Sequence, residues 1–284
     1  MRRRRFPGPE HGASQARRRL PERETRLHDR RVWESGRVPR LRNLPRRAAH
    51  RNGTDQAVLA WNTDTGRLEG AYFGTRLGAL RTGILGGLAV AVLTPATSDS
   101  CAVIGTGTQA ETQLLGILAC RELREIRVYS RHVDHRERFA ERLAATADIE
   151  IELCDDPEEA LSGCEIVVLA TNATEPVVEA DWLRNAAHVT TVGPKFRDAH
   201  ELPLAAVENR RLVSDSPQQI REHGKRHMLY GHPRWNDIRH LGEALSAPSP
   251  EEFPPSLYLS AGLAGTEVAA LHAVRRYLCG DSGT

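Results

Sequence analysis

Gly105, Gly107 and Ala110 stand in the spacing GxGxxA, directly after the apolar run Cys101-Ala-Val-Ile and ahead of a segment of helical character. In a strand, turn and helix context each small residue has a task. Gly105 permits the tight turn, Gly107 lets the backbone approach a pyrophosphate, and Ala110 lets the helix pack closely on the strand. The helix N-terminus adds N–H donors and partial positive charge. Thr106, Thr108 and Gln109 complete the turn. The spacing predicts a dinucleotide-phosphate site because the glycines sit inside a repeated βα pattern.

The second βα junction selects among dinucleotides, since an acidic residue there would accept hydrogen bonds from the adenosine ribose 2′-OH. This chain has Ser130-Arg131 instead. A hydroxyl beside a guanidinium suits a 2′-phosphate, which points to NADP, with NAD as the alternative. His223, His227 and His232 invite a metal reading. Their spacing matches no standard zinc pattern, and Lys225 and Arg226 place positive charge where a cation would bind, so no metal is expected.

The elements that must position these groups follow from hydrophobic periodicity. Residues 57–61 and 68–73 flank Asn62-Thr63-Asp64-Thr65-Gly66 and read as a hairpin; Arg76 to Leu93 reads as a tightly packed helix. From residue 100 onward CAVIG, IRVYS, IEIEL, EIVVLA, HVTTVG and RLVSD alternate with helical segments. A doubly wound parallel sheet is the economical architecture, with continuous β-branched runs suited to strands buried on both faces. Leu259 to Leu278 reads as a closing helix after a Pro/Ser-rich linker.

Composition bounds the class. The 284 residues are 40% hydrophobic, enough for a buried core. The longest apolar stretch, near Ile84 to Leu93, is broken by Gly86 and Gly87, so no membrane insertion is expected. Five widely spaced cysteines without a CxxC pair suit reduced thiols in the cytoplasm. The net charge of +2 hides an asymmetry: residues 1–51 carry +12 and the remainder −10. Residues 1–55 read as a disordered, arginine-rich leader too poor in apolar periodicity to pack. Nucleic-acid binding through that leader is the less favoured alternative.

In order and spacing, LRTG (80–83), GTGTQA (105–110), VYSR (128–131), EIVVLATNATEPVV (165–178), HVTTVG (188–193), HELP (200–203) and SAGLAGTEVAAL (260–271) resemble the ornithine cyclodeaminase/mu-crystallin family. The resemblance implies two lobes: a Rossmann domain over 98–234, and a second, smaller α+β lobe from 56–97 and 235–284 that forms the substrate site and a homodimer contact. It implies hydride transfer with a ketimine, cyclic imine or small amino acid. Cyclodeamination of ornithine or a related diamino acid, and cofactor binding without turnover, are the alternatives.

Arg81 falls where the family places an arginine on the substrate carboxylate, and Gly262 in a segment near the nicotinamide. Thr171 and Asn172, and Val192 and Gly193, end successive strands at the rim where a cofactor lies. The chain departs from the family at Lys195, which replaces the aspartate that handles the amine proton in cyclodeaminases, and at Ala199, which replaces a lysine. If burial lowers its pKa, Lys195 becomes a candidate proton donor. Residues 1–55 match none of the family's first lobe, which normally supplies a further substrate arginine and lysine.

Overall fold

The computed structural model describes residues 56–146, 149–247, 251–263 and 265–279. The leader expected over 1–55 lies outside the described residues.

Strands β1 (Ala57–Trp61) and β2 (Leu68–Phe73) pair antiparallel. Asn62 closes their turn, its Oδ1 accepting from the backbone N–H groups of Asp64 and Thr65. After α1 (Arg76–Leu93) the chain alternates through β3 (Ser100–Ile104), α2 (Thr108–Leu118), β4 (Glu125–Tyr129), α3 (Val133–Ala144), β5 (Glu152–Leu153), α4 (Pro157–Leu161), β6 (Ile166–Leu169) and β7 (His188–Thr191). A minimal hairpin, β8 (Lys195–Phe196) and β9 (Ala199–His200), precedes β10 (Arg211–Ser214) and α5 (Pro217–His223). The remaining elements are β11 (Arg239–His240), α6 (Leu241–Ser246), β12 (Ser256–Leu259) and α7 (Thr266–Cys279).

Eight strands form one parallel sheet in the order β11-β10-β12-β7-β6-β3-β4-β5. The chain winds outward from β3 through β4 to β5 and then returns to β6 on the other side of β3. The reversal leaves a crevice beyond the C-terminal ends of β3 and β6, where ligands bind in open α/β sheets. Continuous burial of β3 has a simple cause. Cys101 and Val103 join one core with Leu114 of α2 and Phe139 of α3, whereas Ala102 and Ile104 join the opposite core with Val167, Leu169 and Leu257.

The C-terminal segment departs from expectation in two ways. Arg239–His240 and Ser256–Leu259, both expected in the second lobe, are strands of the eight-stranded parallel sheet, the latter buried between β7 and β10. The closing helix begins at Thr266 and not at Leu259. So short an apolar run as Leu257–Leu259 satisfies either element, and only its two strand neighbours decide. Of IEIEL, only Glu152–Leu153 enters the ladder.

Helix α1 carries almost no amphipathic periodicity because both of its sides are packed: Ala89 and Leu93 against Val213 and Tyr258, and Val90 against the α2 side. By length and composition it would pass for a membrane span, with a mean hydropathy of 1.4 and half of it buried. Its crossing with α2 accounts for that apolarity. A Cβ on Gly116 would lie 2.1 Å from the carbonyl oxygen of Gly83, and one on Gly87 would lie 2.1 Å from that of Gly116. Gly116→Ala is therefore expected to destabilise the protein by about 3 kcal/mol or more, since backbone cannot yield as a side chain can. Gly78→Ala, on the same helix as Gly83 and with 3.6 Å to its nearest neighbour, is expected to gain roughly 0.5–1 kcal/mol from helix propensity. Denaturant unfolding of both variants checks the pair. Equal stabilities would mean that the helices do not cross this closely.

Candidate cofactor and substrate site

The chain turns sharply after β3. Gly105 has φ +117°, and a Cβ there would meet the Ala170 carbonyl oxygen at 2.3 Å. Gly107, the residue before α2, has an ordinary φ of −81° and nothing within 4 Å of a Cβ. The two glycines thus serve different ends: Gly105 satisfies the fold, and Gly107 leaves space in front of the helix N-terminus. Gly107 offers no side chain to cap α2, so the first N–H groups of the helix remain for a ligand.

Gly105, Thr106, Gly107, Thr108 and Gln109 line a cleft of about 1180 Å³ together with Ser130, Arg131, Thr171, Asn172, Val192 and Gly193. Its volume and strand-end position suit an extended dinucleotide. Ala110 lies outside the lining; it is fully buried against Val103 and Leu114, the close helix packing its small size permits. Gly262 is also outside this lining. Its φ is +77°, and a Cβ there would stand 3.4 Å from Arg81 Nη1.

Glu201, from the HELP segment, was not singled out in the sequence, yet it builds the rim. Its buried carboxylate accepts from the Thr171 N–H and hydroxyl, both at 2.8 Å, from the Thr191 hydroxyl at 2.8 Å, and from the Gly193 N–H at 2.6 Å. Those bonds tie the ends of β6 and β7 together. They also explain Gly193, because a Cβ there would come within 2.5 Å of the Glu201 carboxylate.

Lys195 is buried, and its Nζ donates to the Gly193 carbonyl at 2.7 Å. Burial pushes its pKa down to about 8, against the opposing pull of Glu201 and Asp215. Asp215 is the second carboxylate of this region. It is buried and accepts from the Ala261 N–H at 2.6 Å and the Leu263 N–H at 2.7 Å, fixing the loop that carries Gly262.

Arg81 extends from α1 toward that loop. Its Nε and Nη2 donate to Glu267 Oε1 at 2.9 and 2.5 Å. Its Nη1 is buried with no hydrogen-bond partner among the described residues. Glu267 therefore holds one edge of the guanidinium and leaves a donor on the other, and a buried unpaired donor is costly unless a ligand meets it. The histidine group does other work. His227 Nδ1 accepts from the Leu229 N–H and its ring packs on Trp235, while His232 Nδ1 accepts from the Arg234 N–H.

Residues 45–281 match the family model described as the ornithine cyclodeaminase/mu-crystallin family, so residues 45–55, expected to lie in an unrelated leader, fall within the family match. The chain is 29% identical over 213 residues to a putative dehydrogenase of Rhizobium meliloti (strain 1021), covering 72% of this chain and 64% of that protein. It is 26% identical over 219 residues to the ketimine reductase mu-crystallin of Mus musculus, covering 77% and 68% respectively. Among solved structures, the Thermococcus litoralis Δ1-pyrroline-2-carboxylate reductase in complex with NADH and L-proline superposes with a TM-score of 0.66 at 29% identity, over 79% of this chain and 72% of that one. The chain thus spans about two thirds of the length of the Rhizobium and mouse relatives.

Proposed function

The chain belongs to the ornithine cyclodeaminase/mu-crystallin family, and from that premise we propose that it is an NAD(P)-dependent oxidoreductase reducing the C=N bond of a small imino acid. The carrying observation is convergence on one cleft of the Gly105–Gln109 turn, Ser130-Arg131, Thr171-Asn172 and Val192-Gly193, with Lys195 tied to Gly193 at 2.7 Å. Open space at Gly107 before the α2 N-terminus fits a pyrophosphate, so the residues present suit the cofactor.

A bound nicotinamide dinucleotide supplies or accepts hydride. The protein does the rest. The α2 N-terminus and the Gly107 backbone would hold its pyrophosphate, and Ser130 with Arg131 would meet its adenosine ribose. Arg131 is exposed and has no ion-pair partner among the described residues, which favours a 2′-phosphate and hence NADP over NAD. Arg81 Nη1 receives the substrate carboxylate while Glu267 keeps the guanidinium in place. Lys195 holds, as an ammonium, the proton delivered to the substrate nitrogen as the carbon is reduced.

Cyclodeamination is the second reading. A buried cation at position 195 argues against it, because an amine proton must be taken up there by a base. For the expected homodimer we propose the outer face of the hairpin, where Leu59, Trp61 and Phe73 are exposed at 40%, 54% and 73%. Cys101, Cys120, Cys154 and Cys164 are unpaired, in keeping with the cytoplasm we assign.

The test is fluorescence titration with NADPH and NADH, followed by an assay of NADPH oxidation with Δ1-pyrroline-2-carboxylate and acyclic ketimines. Tighter NADPH binding and imine-dependent oxidation are expected. Binding with no turnover on any imine or amino acid would select the cofactor-binding alternative, and binding of neither nucleotide would overturn the proposal. Sedimentation at the mass of one chain would remove the dimer.

A further inference from the structure

The β4–α3 edge of the cleft carries more cationic side chains than Ser130-Arg131 alone provides. His132, His135, Arg138 and Arg142 line the same cleft. His132 immediately precedes α3 and His135 lies in its first turn, so both stand beside the helix N-terminus. Their rings meet edge-on with centroids 5.0 Å apart.

Not all of this charge is available to a ligand. Arg138 is paired with Asp134, and Arg142 donates to Glu111 at 3.1 Å and to the Thr106 carbonyl at 3.2 Å. Arg131 has no partner among the described residues, and His135 Nε2 is 4.0 Å from the Asp134 carboxylate. Glu175, after β6, is the one carboxylate in the cleft lining. One permanent cation and two imidazoles therefore remain at the place where the second βα junction meets the adenosine ribose.

We propose that His132 and His135 complete a 2′-phosphate subsite with Arg131 and make the preference for NADPH over NADH depend on pH. The inference rests on the cofactor reading given above and extends it to two residues and a regulation. A phosphate monoester is largely dianionic above its second pKa, near 6, and an ordinary imidazole titrates near 6.5. Arg131, Arg138 and Arg142 line the same cleft as the rings, with Asp134 paired to Arg138 and Glu111 to Arg142. A dianion seated beside the rings favours the imidazolium form. Binding of NADPH then takes up protons, whereas NADH, which lacks the 2′-phosphate, does not. By linkage, the affinity ratio in favour of NADPH rises as pH falls from about 8 toward 6.5, and the gain ends below about 6, where the phosphate itself protonates.

The experiment measures dissociation constants of NADPH and NADH by nicotinamide fluorescence at about pH 6.5 and about pH 8, at constant ionic strength. It uses the whole chain and its His132→Gln/His135→Gln variant. For the unaltered protein, the ratio of the NADH constant to the NADPH constant is expected to be about five-fold larger at the lower pH, the scale of one charge-assisted contact. In the variant the ratio should be equal at both pH values, with NADH binding unchanged within about two-fold. A ratio independent of pH in the unaltered protein, or a pH response that survives in the variant, overturns the inference while leaving cofactor binding intact. Binding of neither nucleotide is a different result, and overturns the cofactor reading along with it.

Discussion

Gly107→Asp is expected to leave the protein folded and to weaken binding of both NADPH and NADH about 100-fold or more. The expectation comes from two glycines that look alike in the motif and differ in the structure. A Cβ at Gly107 meets nothing within 4 Å and the backbone φ of −81° suits any residue, so the folded state admits the substitution. Aspartate is moreover a favoured residue immediately before a helix, where its carboxylate caps the free N–H groups, so apo stability should hold or rise by a few tenths of a kcal/mol. The same capping consumes the donors that a pyrophosphate needs and sets like charge against it. Roughly 3 kcal/mol of lost binding corresponds to the 100-fold change. Gly105→Ala is the opposite case, because its φ of +117° and the Ala170 carbonyl 2.3 Å away make it a folding defect. Thermal unfolding beside nucleotide titration separates the two. Unaltered nucleotide affinity in Gly107→Asp would remove the phosphate from this turn.

Lys195→Met is expected to lower turnover on an imino acid about 1000-fold while NADPH affinity stays within about three-fold, the scale of a lost proton donor. Its pH signature distinguishes a donor from a structural lysine. The ammonium is the competent form, so kcat for reduction should be level below pH 8 and fall above it, following the group whose pKa burial lowers to about 8. Stability runs the other way. The folded pKa lies below the ordinary 10.5 of a lysine in an unfolded chain, so the unfolded chain binds more protons between pH 8 and 10.5, and stability rises with pH across that window. Below pH 8 the full cost of burying the ammonium persists, so Lys195→Met at pH 7 should unfold no more readily than the unaltered protein. A rate level from pH 6 to 9.5, or retained turnover in the variant, would show that the proton comes from elsewhere.

The two effects rest on different kinds of information. The glycine-rich turn after β3 was legible because its demands are local: a tight turn at Gly105, open space at Gly107 and a small residue at Ala110 are met within six positions by residue type alone. The hairpin and the bounds of α1 were legible for the same reason, since turn residues and an apolar run are written in neighbouring positions. The rim of the cleft was not. Glu201 reads as an ordinary surface acid in HELP until β6 and β7 bring Thr171, Thr191 and Gly193 around it. Asp215 likewise acquires its role from Ala261 and Leu263, nearly fifty positions away.

By itself the sequence of this protein determined its strand and helix periods, its glycine-rich turn after β3, and the presence of Ser130-Arg131 at the second βα junction and of a lysine at position 195. Tertiary structure decided that Lys195 is buried and not solvated, that Arg81 Nη1 is left without a partner among the described residues while Glu267 takes Nε and Nη2, and that Ser256–Leu259 inserts between β7 and β10. The division has one physical cause. Backbone conformation and amphipathic period are short-range and recur every few residues, whereas burial of a charge, satisfaction of its hydrogen bonds and the neighbours of a short apolar strand depend on which distant segments meet in space.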